Sequence, residues 1–416
     1  MRIHIIAASL TVSALAAAAI ACGPLGQKAD DHPTYYKDVA PILNARCTGC
    51  HVAGSIAPFT LDSYAQAFAQ AGAIKASTAS RIMPPWGPQN SGTCQTWKND
   101  RYLTDRELKT IALWVDQGAL PGSVVPTPTP VTAPVLAHVD ATLDMGATYT
   151  PQGTTDIYRC FITDPGLTTD MYLTGYHVKP GARSIVHHII AYAVDAQGAS
   201  EAATKDAADA ELGYTCFGTA GVSGETWTLG WAPGGDVTTY PAGTGIKLKA
   251  GQKIVVQIHY NLGAGSQDDR TQIDLQLEPQ VDYPAYIAPI PDQNFSLPKG
   301  MPSITDSLDL PLASLNIPIT VKLWALAPHM HLLGRAAHTS ITHSDGSEEC
   351  LLDQPHYDFR WQQLYQYETP VVIKPTDTLH MSCTWDTTNA VNDPTTWGEN
   401  TTDEMCLQIA YLTIGG

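Results

Sequence analysis

The sequence predicts a multidomain chain, with a small all-α unit followed by two antiparallel β-sandwich (jelly-roll-like) subdomains. Three observations carry this expectation. Helical patterning is confined to residues 35–121. The stretch Pro126-Thr-Pro-Thr-Pro130, with Pro134 behind it, cannot pair in a sheet and reads as a semi-rigid linker over 122–137. Beyond residue 138 the chain turns to Thr, Val, Ile, Tyr, Gly and Pro in short runs between turns, as antiparallel sheets require.

The elements follow in order. Residues 1–21 read as an export signal: Arg2 is a positive start, and Ile5 to Ile20 is an apolar run closed by small residues. Cys22 comes directly after them, so acylation of Cys22 as a bacterial lipoprotein and cleavage by an ordinary signal peptidase both stay open. Either way the expected place is the periplasm or a lipid-anchored position on a bacterial envelope. No second apolar run is long enough to span a bilayer. Residues 22–34 are a polar tether. Helices are expected over Tyr36 to Asn44, Ser63 to Ala76 and Asp105 to Gln117, the last opened by a Thr104/Glu107 capping box. Strand composition marks Ile185 to Val194, Lys253 to Tyr260, Ile273 to Leu277, Ile319 to Leu326, Val371 to Ile373 and Leu407 to Ile414. A Pro-rich break at 284–302 divides the β-region into halves, 138–283 and 284–416.

A formal charge of -17 without a basic stripe excludes a nucleic-acid partner, because phosphate binding needs clustered Lys and Arg. Export permits disulfides, and nine cysteines are present.

Cys47-Thr48-Gly49-Cys50-His51 is a CxxCH motif. Two thiols one helical turn apart can bond both vinyl groups of a haem, and the His then lies under the iron. A redox dithiol or a bridge is the competing reading. Met83, in Arg81-Ile-Met-Pro-Pro-Trp86, is the only Met between this motif and the linker and is the candidate sixth ligand; an ordinary packed Met is its alternative. The stretch from residue 36 to Gly118 resembles the small cytochrome c-like domains found in front of bacterial redox enzymes.

Three histidine features suit copper, which takes imidazole and, as Cu(I), a thioether. His187-His188 lies in an apolar strand, where adjacent residues point to opposite faces unless a bulge re-aims one. His259 is buried in another apolar strand and, alone, reads as an ordinary core histidine. His329-Met330-His331 places two His on one strand face.

Taken together these segments resemble a family. Val186-His-His-Ile-Ile, Val256-Gln-Ile-His-Tyr260, Ala327-Pro-His-Met-His-Leu-Leu-Gly334, Tyr357-Asp-Phe-Arg-Trp-Gln-Gln363 and Asp403-Glu-Met-Cys-Leu407 look like the signatures of the ascorbate-dependent type-2 copper monooxygenases, the group of dopamine β-monooxygenase and peptidylglycine α-hydroxylating monooxygenase. The resemblance implies two copper ions. His187, His188 and His259 would hold an electron-transfer copper. His329, His331 and Met405 would hold the O2-binding, hydroxylating copper and be the catalytic set. It implies bridges Cys160–Cys216 and Cys383–Cys406, and two sandwiches facing each other across a solvent-filled cleft. Cys94 and Cys350 keep no assigned partner except by elimination.

One departure bears on substrate. Peptide-amidating members carry an Arg two residues before the HxH motif and a Tyr four residues after the Met. Ala327 and Ile409 stand there, so a substrate carboxylate would lack its charged partner. The expected activity is hydroxylation of a C–H bond in a small, less polar substrate with O2. Electrons would come from ascorbate, from the fused haem or from a redox partner protein. A copper-binding electron carrier without turnover needs the same ligands and is the alternative.

Overall fold

The computed structural model describes residues 31–415 apart from 54–56, 91, 99–101, 125–134, 154–155, 233–234, 236, 316–318, 360 and 401. The export signal, Cys22 and the Pro/Thr stretch lie outside the described residues.

The helical part comprises the turn Tyr35–Val39 and the helices Ala40–Arg46, Tyr64–Ala69, Ala71–Ala79 and Asp105–Asp116. The last begins at the capping box: Glu107 N–H donates to Thr104 Oγ1 at 3.2 Å, and Thr104 N–H to Glu107 Oε2 at 2.7 Å. The single helix expected over Ser63 to Ala76 is split at Gln70, whose N–H is shared between Gln66 O and Ala67 O. Leu43, Leu61, Leu103, Ile111 and Trp114 form the core between these helices.

The expected fold class requires correction. Strands hold 39% of the chain and helices 16%, and the sheets do not separate into two sandwiches. One nine-stranded sheet runs through both halves. Its order is Ala141–Asp144, Gln272–Glu278, Met171–Lys179, Thr244–Leu248, Tyr283–Asp292, Cys406–Ile414, Val321–His329 and Tyr365–Ile373, with Val237–Thr239 on its flank. The junction is the segment read as a Pro-rich break. Tyr283–Asp292 is a ten-residue strand, parallel to Thr244–Leu248 over Tyr283 to Ala285 and antiparallel to Cys406–Ile414 from Ala285 to Asp292. Pro289 and Pro291 are two residues apart, so their missing donors share one edge. The parallel pairing ends at Ala285, so the edge away from Cys406–Ile414 asks for no donor at either proline.

Nor is the helical part a separate all-α unit. Cys94 is bonded to Cys350, Trp97 bridges Tyr367, and Lys98 N–H donates to Gln366 O. Trp97 is buried in the core of the second half, its ring 4.6 Å from that of Tyr367. The signal for this lies in long-range pairing, which helical periodicity does not register.

Two smaller sheets cover the large one. Tyr214–Thr215, Asp156–Thr163, Lys253–Asn261, Val186–Val194 and Thr226–Trp231 form the first-half sheet. Ile304–Pro311, Thr378–Trp385, Gly334–Thr342 and Glu348–Gln354 form the second-half sheet. Ile189, Val256 and Ile258 of the first pack on Leu173, Leu275 and Ala325; Ile341, Met381 and Trp385 of the second pack on Leu323, Leu326 and Ala410. Two further disulfides, Cys160–Cys216 and Cys383–Cys406, pin one half each.

Candidate metal centres

In the first half the strand pairing builds the cluster. Val186 pairs with Tyr260, yet His188 pairs with His259, so His187 is the extra residue of a β-bulge. The bulge turns two adjacent histidines toward one side. Their Nδ1 atoms lie 3.4 Å apart, and His188 Nδ1 lies 3.2 Å from His259 Nδ1. Ligand atoms of all three fall within 4.8 Å of one another.

His259 is held from behind. Asp156 Oδ1 is 3.1 Å from its Nε2, Asn261 Nδ2 donates to the same carboxylate at 3.0 Å, and Tyr158 stacks on the ring at 4.2 Å. Hydrogen bonding to His259 holds the Asp156 carboxyl below its ordinary range. A carboxylate on one nitrogen leaves the other as metal donor. Burial lowers His187 to about 4 and His188 well below an ordinary histidine, with neighbouring imidazoles adding to the effect. A proton on His188 Nδ1 can be shared with one neighbouring Nδ1 at a time, whereas a soft cation can take a lone pair from each of the three imidazoles. The donor set fits copper.

In the second half, His329 ends the strand Val321–His329, and His331 lies beyond it in the turn to Gly334–Thr342. The pair is therefore not on one strand face as the spacing suggested. Gly334 permits the turn: a Cβ there would stand 2.7 Å from Met330 Cβ. Each imidazole faces an oxygen through Nδ1, His329 meeting Gln362 Oε1 at 2.6 Å and His331 meeting Asp403 O at 3.2 Å. These acceptors place the proton on Nδ1 and leave Nε2 as the donor. Burial lowers His329 to about 4 and also lowers His331. Met405 is buried and precedes Cys406 of the second-half disulfide. The Glu404 carboxylate accepts from both His331 N–H and Met405 N–H, which ties these two backbone positions to one side chain.

Glu404 went unnoticed in the sequence. It is fully buried, and its carboxylate accepts four hydrogen bonds: from His331 N–H at 2.9 Å, Leu333 N–H at 2.6 Å, Met405 N–H at 3.3 Å and the Trp385 indole at 3.0 Å. Burial pushes it up to about 7. An acidic residue at the start of an apolar strand was the available signal. Asp156 and Gln362 were missed for a similar reason, because each acts through a partner distant in sequence.

Between the clusters stands Phe359, stacked on His187 at 5.4 Å and edge-on to His331 at 5.9 Å. Ala327 and Ile409 face each other across paired strands.

The CxxCH residues lie in the helical part. Cys47 and Cys50 stand outside the three disulfides. His51 Nδ1 meets Phe59 O at 3.0 Å, which leaves Nε2 as the nitrogen that could take a metal. Burial pushes the Cys47 thiol up to about 12. Met83 is 39% exposed on the turn after Ala71–Ala79. These residues fit a haem attachment without demanding one.

The lowered histidines have a measurable consequence. Copper needs neutral imidazole. Ordinary histidines protonate near pH 6.5, whereas His187 and His329 stay neutral until about 4. Copper uptake is therefore expected to persist at about pH 5.5 and to fail toward pH 4. The sign for folding agrees: the unfolded chain protonates first, so the metal-free protein loses stability as pH falls from about 6.5 toward 4. Chelator competition across pH checks this, and half-loss of uptake near pH 6.5 would contradict it.

Residues 310–413 match the model of the C-terminal domain of copper type II ascorbate-dependent monooxygenases, and His329, His331 and Met405 fall inside that span. The chain is 26% identical over 206 residues to DBH-like monooxygenase protein 1 of Gallus gallus, covering 45% of this chain and 33% of that protein. The human protein of the same name is 24% identical over 255 residues, covering 56% and 40%. Tyramine beta-hydroxylase of Caenorhabditis briggsae is 36% identical over 92 residues, covering 22% and 15%. The similarity to copper type II monooxygenases thus covers residues 310–413 of the second half of the chain. The chain spans about a third to two fifths of the length of the DBH-like relatives it matches.

Proposed function

We propose that this chain is an exported copper-dependent monooxygenase that hydroxylates a C–H bond of a small, weakly polar substrate. The observation that carries the reading is the pairing of two centres of different donor sets. Three Nδ1 atoms converge in the first half, and in the second half two imidazoles are held through Nδ1 while Met405 is buried.

The overall reaction takes a substrate R–H, O2, two electrons and two protons to R–OH and water. Bound copper would supply one-electron redox chemistry and O2 activation. The protein's own part is geometric. Asp156 and Tyr158 orient His259, Gln362 and the Asp403 carbonyl orient His329 and His331, and Glu404 fixes the backbone around His331 and Met405. His187, His188 and His259 serve as the electron-transfer ligands; His329, His331 and Met405 serve the oxygen chemistry. The apolar pair Ala327 and Ile409 favours substrates without a carboxylate.

Ascorbate is the donor the matched family's description names. A haem on Cys47 and Cys50, with His51 and Met83 as iron ligands, is a second source within the chain, and a redox partner protein would then reduce it. Three disulfides fit an oxidising compartment outside the cytoplasm, and acylation of Cys22 would anchor the chain to a membrane there. The test is O2 uptake by copper-loaded protein with ascorbate across a panel of C–H substrates. Substrate-dependent uptake that disappears in His329→Ala is expected, with no turnover of glycine-extended peptides. Two bound coppers without substrate-dependent uptake would make the chain a carrier.

A further inference from the structure

Among the described residues, His259 is backed by the Asp156 carboxylate and the stacked Tyr158 ring, whereas the hydrogen-bond contact of the His187 ring is with His188. His187 is the extra residue of a bulge and only half-buried. Among the described residues, the ring packed on it besides the other two histidines is Phe359, which belongs to the second half.

Phe359 is itself placed by the residues that frame the HxH motif. Tyr357 Oη donates to Met330 O at 2.7 Å and accepts from Met330 N–H at 3.0 Å. Gln362 Nε2 donates to Phe359 O at 2.8 Å, while its Oε1 meets His329. The loop from Tyr357 to Gln362 is thus tied to the second-half centre at both ends, and its ring lies at 27° to the plane of His187.

We propose that Phe359 is a positioning residue for the first-half centre: the second half supplies the ring that holds His187 with Nδ1 turned toward His188 and His259. The first-half cluster is incomplete without it, so copper affinity there depends on a residue across the junction. This rests on the reading that His187, His188 and His259 hold copper. Loss of one aromatic stacking contact frees the imidazole to leave the cluster and weakens copper binding by roughly 3- to 10-fold.

The test uses the full chain and copper alone, with chelator competition for affinity and electron paramagnetic resonance for the ligand field of the first-half site. Phe359→Leu keeps apolar volume without a flat ring. It is expected to lower first-half affinity by that factor and to alter that site's spectrum more than the second-half one, because the ring stacks on His187 but meets His331 only edge-on. Phe359→Tyr is expected to restore both. If Phe359→Leu folds and binds first-half copper with wild-type affinity and spectrum, the inference is overturned while the copper reading stands. If wild type binds no more copper than a His187→Ala/His188→Ala variant, both fall.

Discussion

Glu404→Ala is expected to destabilise the metal-free protein by at least about 3 kcal/mol, because several buried donors lose their acceptor at about 1–3 kcal/mol each. The substitution strips the acceptor from three backbone N–H groups and one indole in the interior of the second half. A single unsatisfied buried donor costs about 1–3 kcal/mol, and a water entering the vacated space would relieve only some of the four. Glu404→Gln tests the mechanism. Its amide keeps one acceptor oxygen and turns an NH2 toward the remaining donors, so it is expected to fall between wild type and Ala. Urea unfolding followed by tryptophan fluorescence reports the order, because Trp385 is one of the four partners. A loss below about 1 kcal/mol for Glu404→Ala would mean that the carboxylate is not what holds this turn.

The same network shows where sequence reasoning stops. The histidines were legible because imidazoles in apolar strand sequence are chemically out of place, whatever the fold. His187-His188 was readable as a cluster only on the condition of a bulge, and the register between Val186 and His188 supplies one. Asp156, Gln362 and Phe359 carry no such local anomaly, and Glu404 shows only as an acidic residue opening an apolar strand, which does not name its partners. Glu404 reaches Leu333 and His331, and Gln362 reaches His329, through pairings set by the whole second half. The architecture failed to be legible at the corresponding point. Prolines at 284, 289 and 291 read as an interruption, since proline is a poor sheet donor, yet a strand needs donors only on its paired edge. The joined nine-stranded sheet follows from that one strand, and with it the approach of Phe359 to His187.

The largest effect on activity is expected at Met405. Replacing it with Leu keeps apolar volume, so the fold should lose less than about 1.5 kcal/mol, whereas Met405→Ala would mix ligand loss with a cavity worth about 2–5 kcal/mol. The sulfur is what differs. A thioether stabilises Cu(I) relative to Cu(II), and a centre that must cycle between the two needs that preference. Loss of an outer partner of a metal ligand typically lowers activity or affinity by about 10- to 100-fold, so loss of a direct ligand should exceed about 100-fold in substrate-dependent O2 uptake. The first-half histidines do not share the Met405 sulfur, and their copper should remain, visible by its unchanged resonance spectrum. Met405→Leu with near-wild-type uptake would remove Met405 from the copper set and leave His329 and His331 to be completed by another donor.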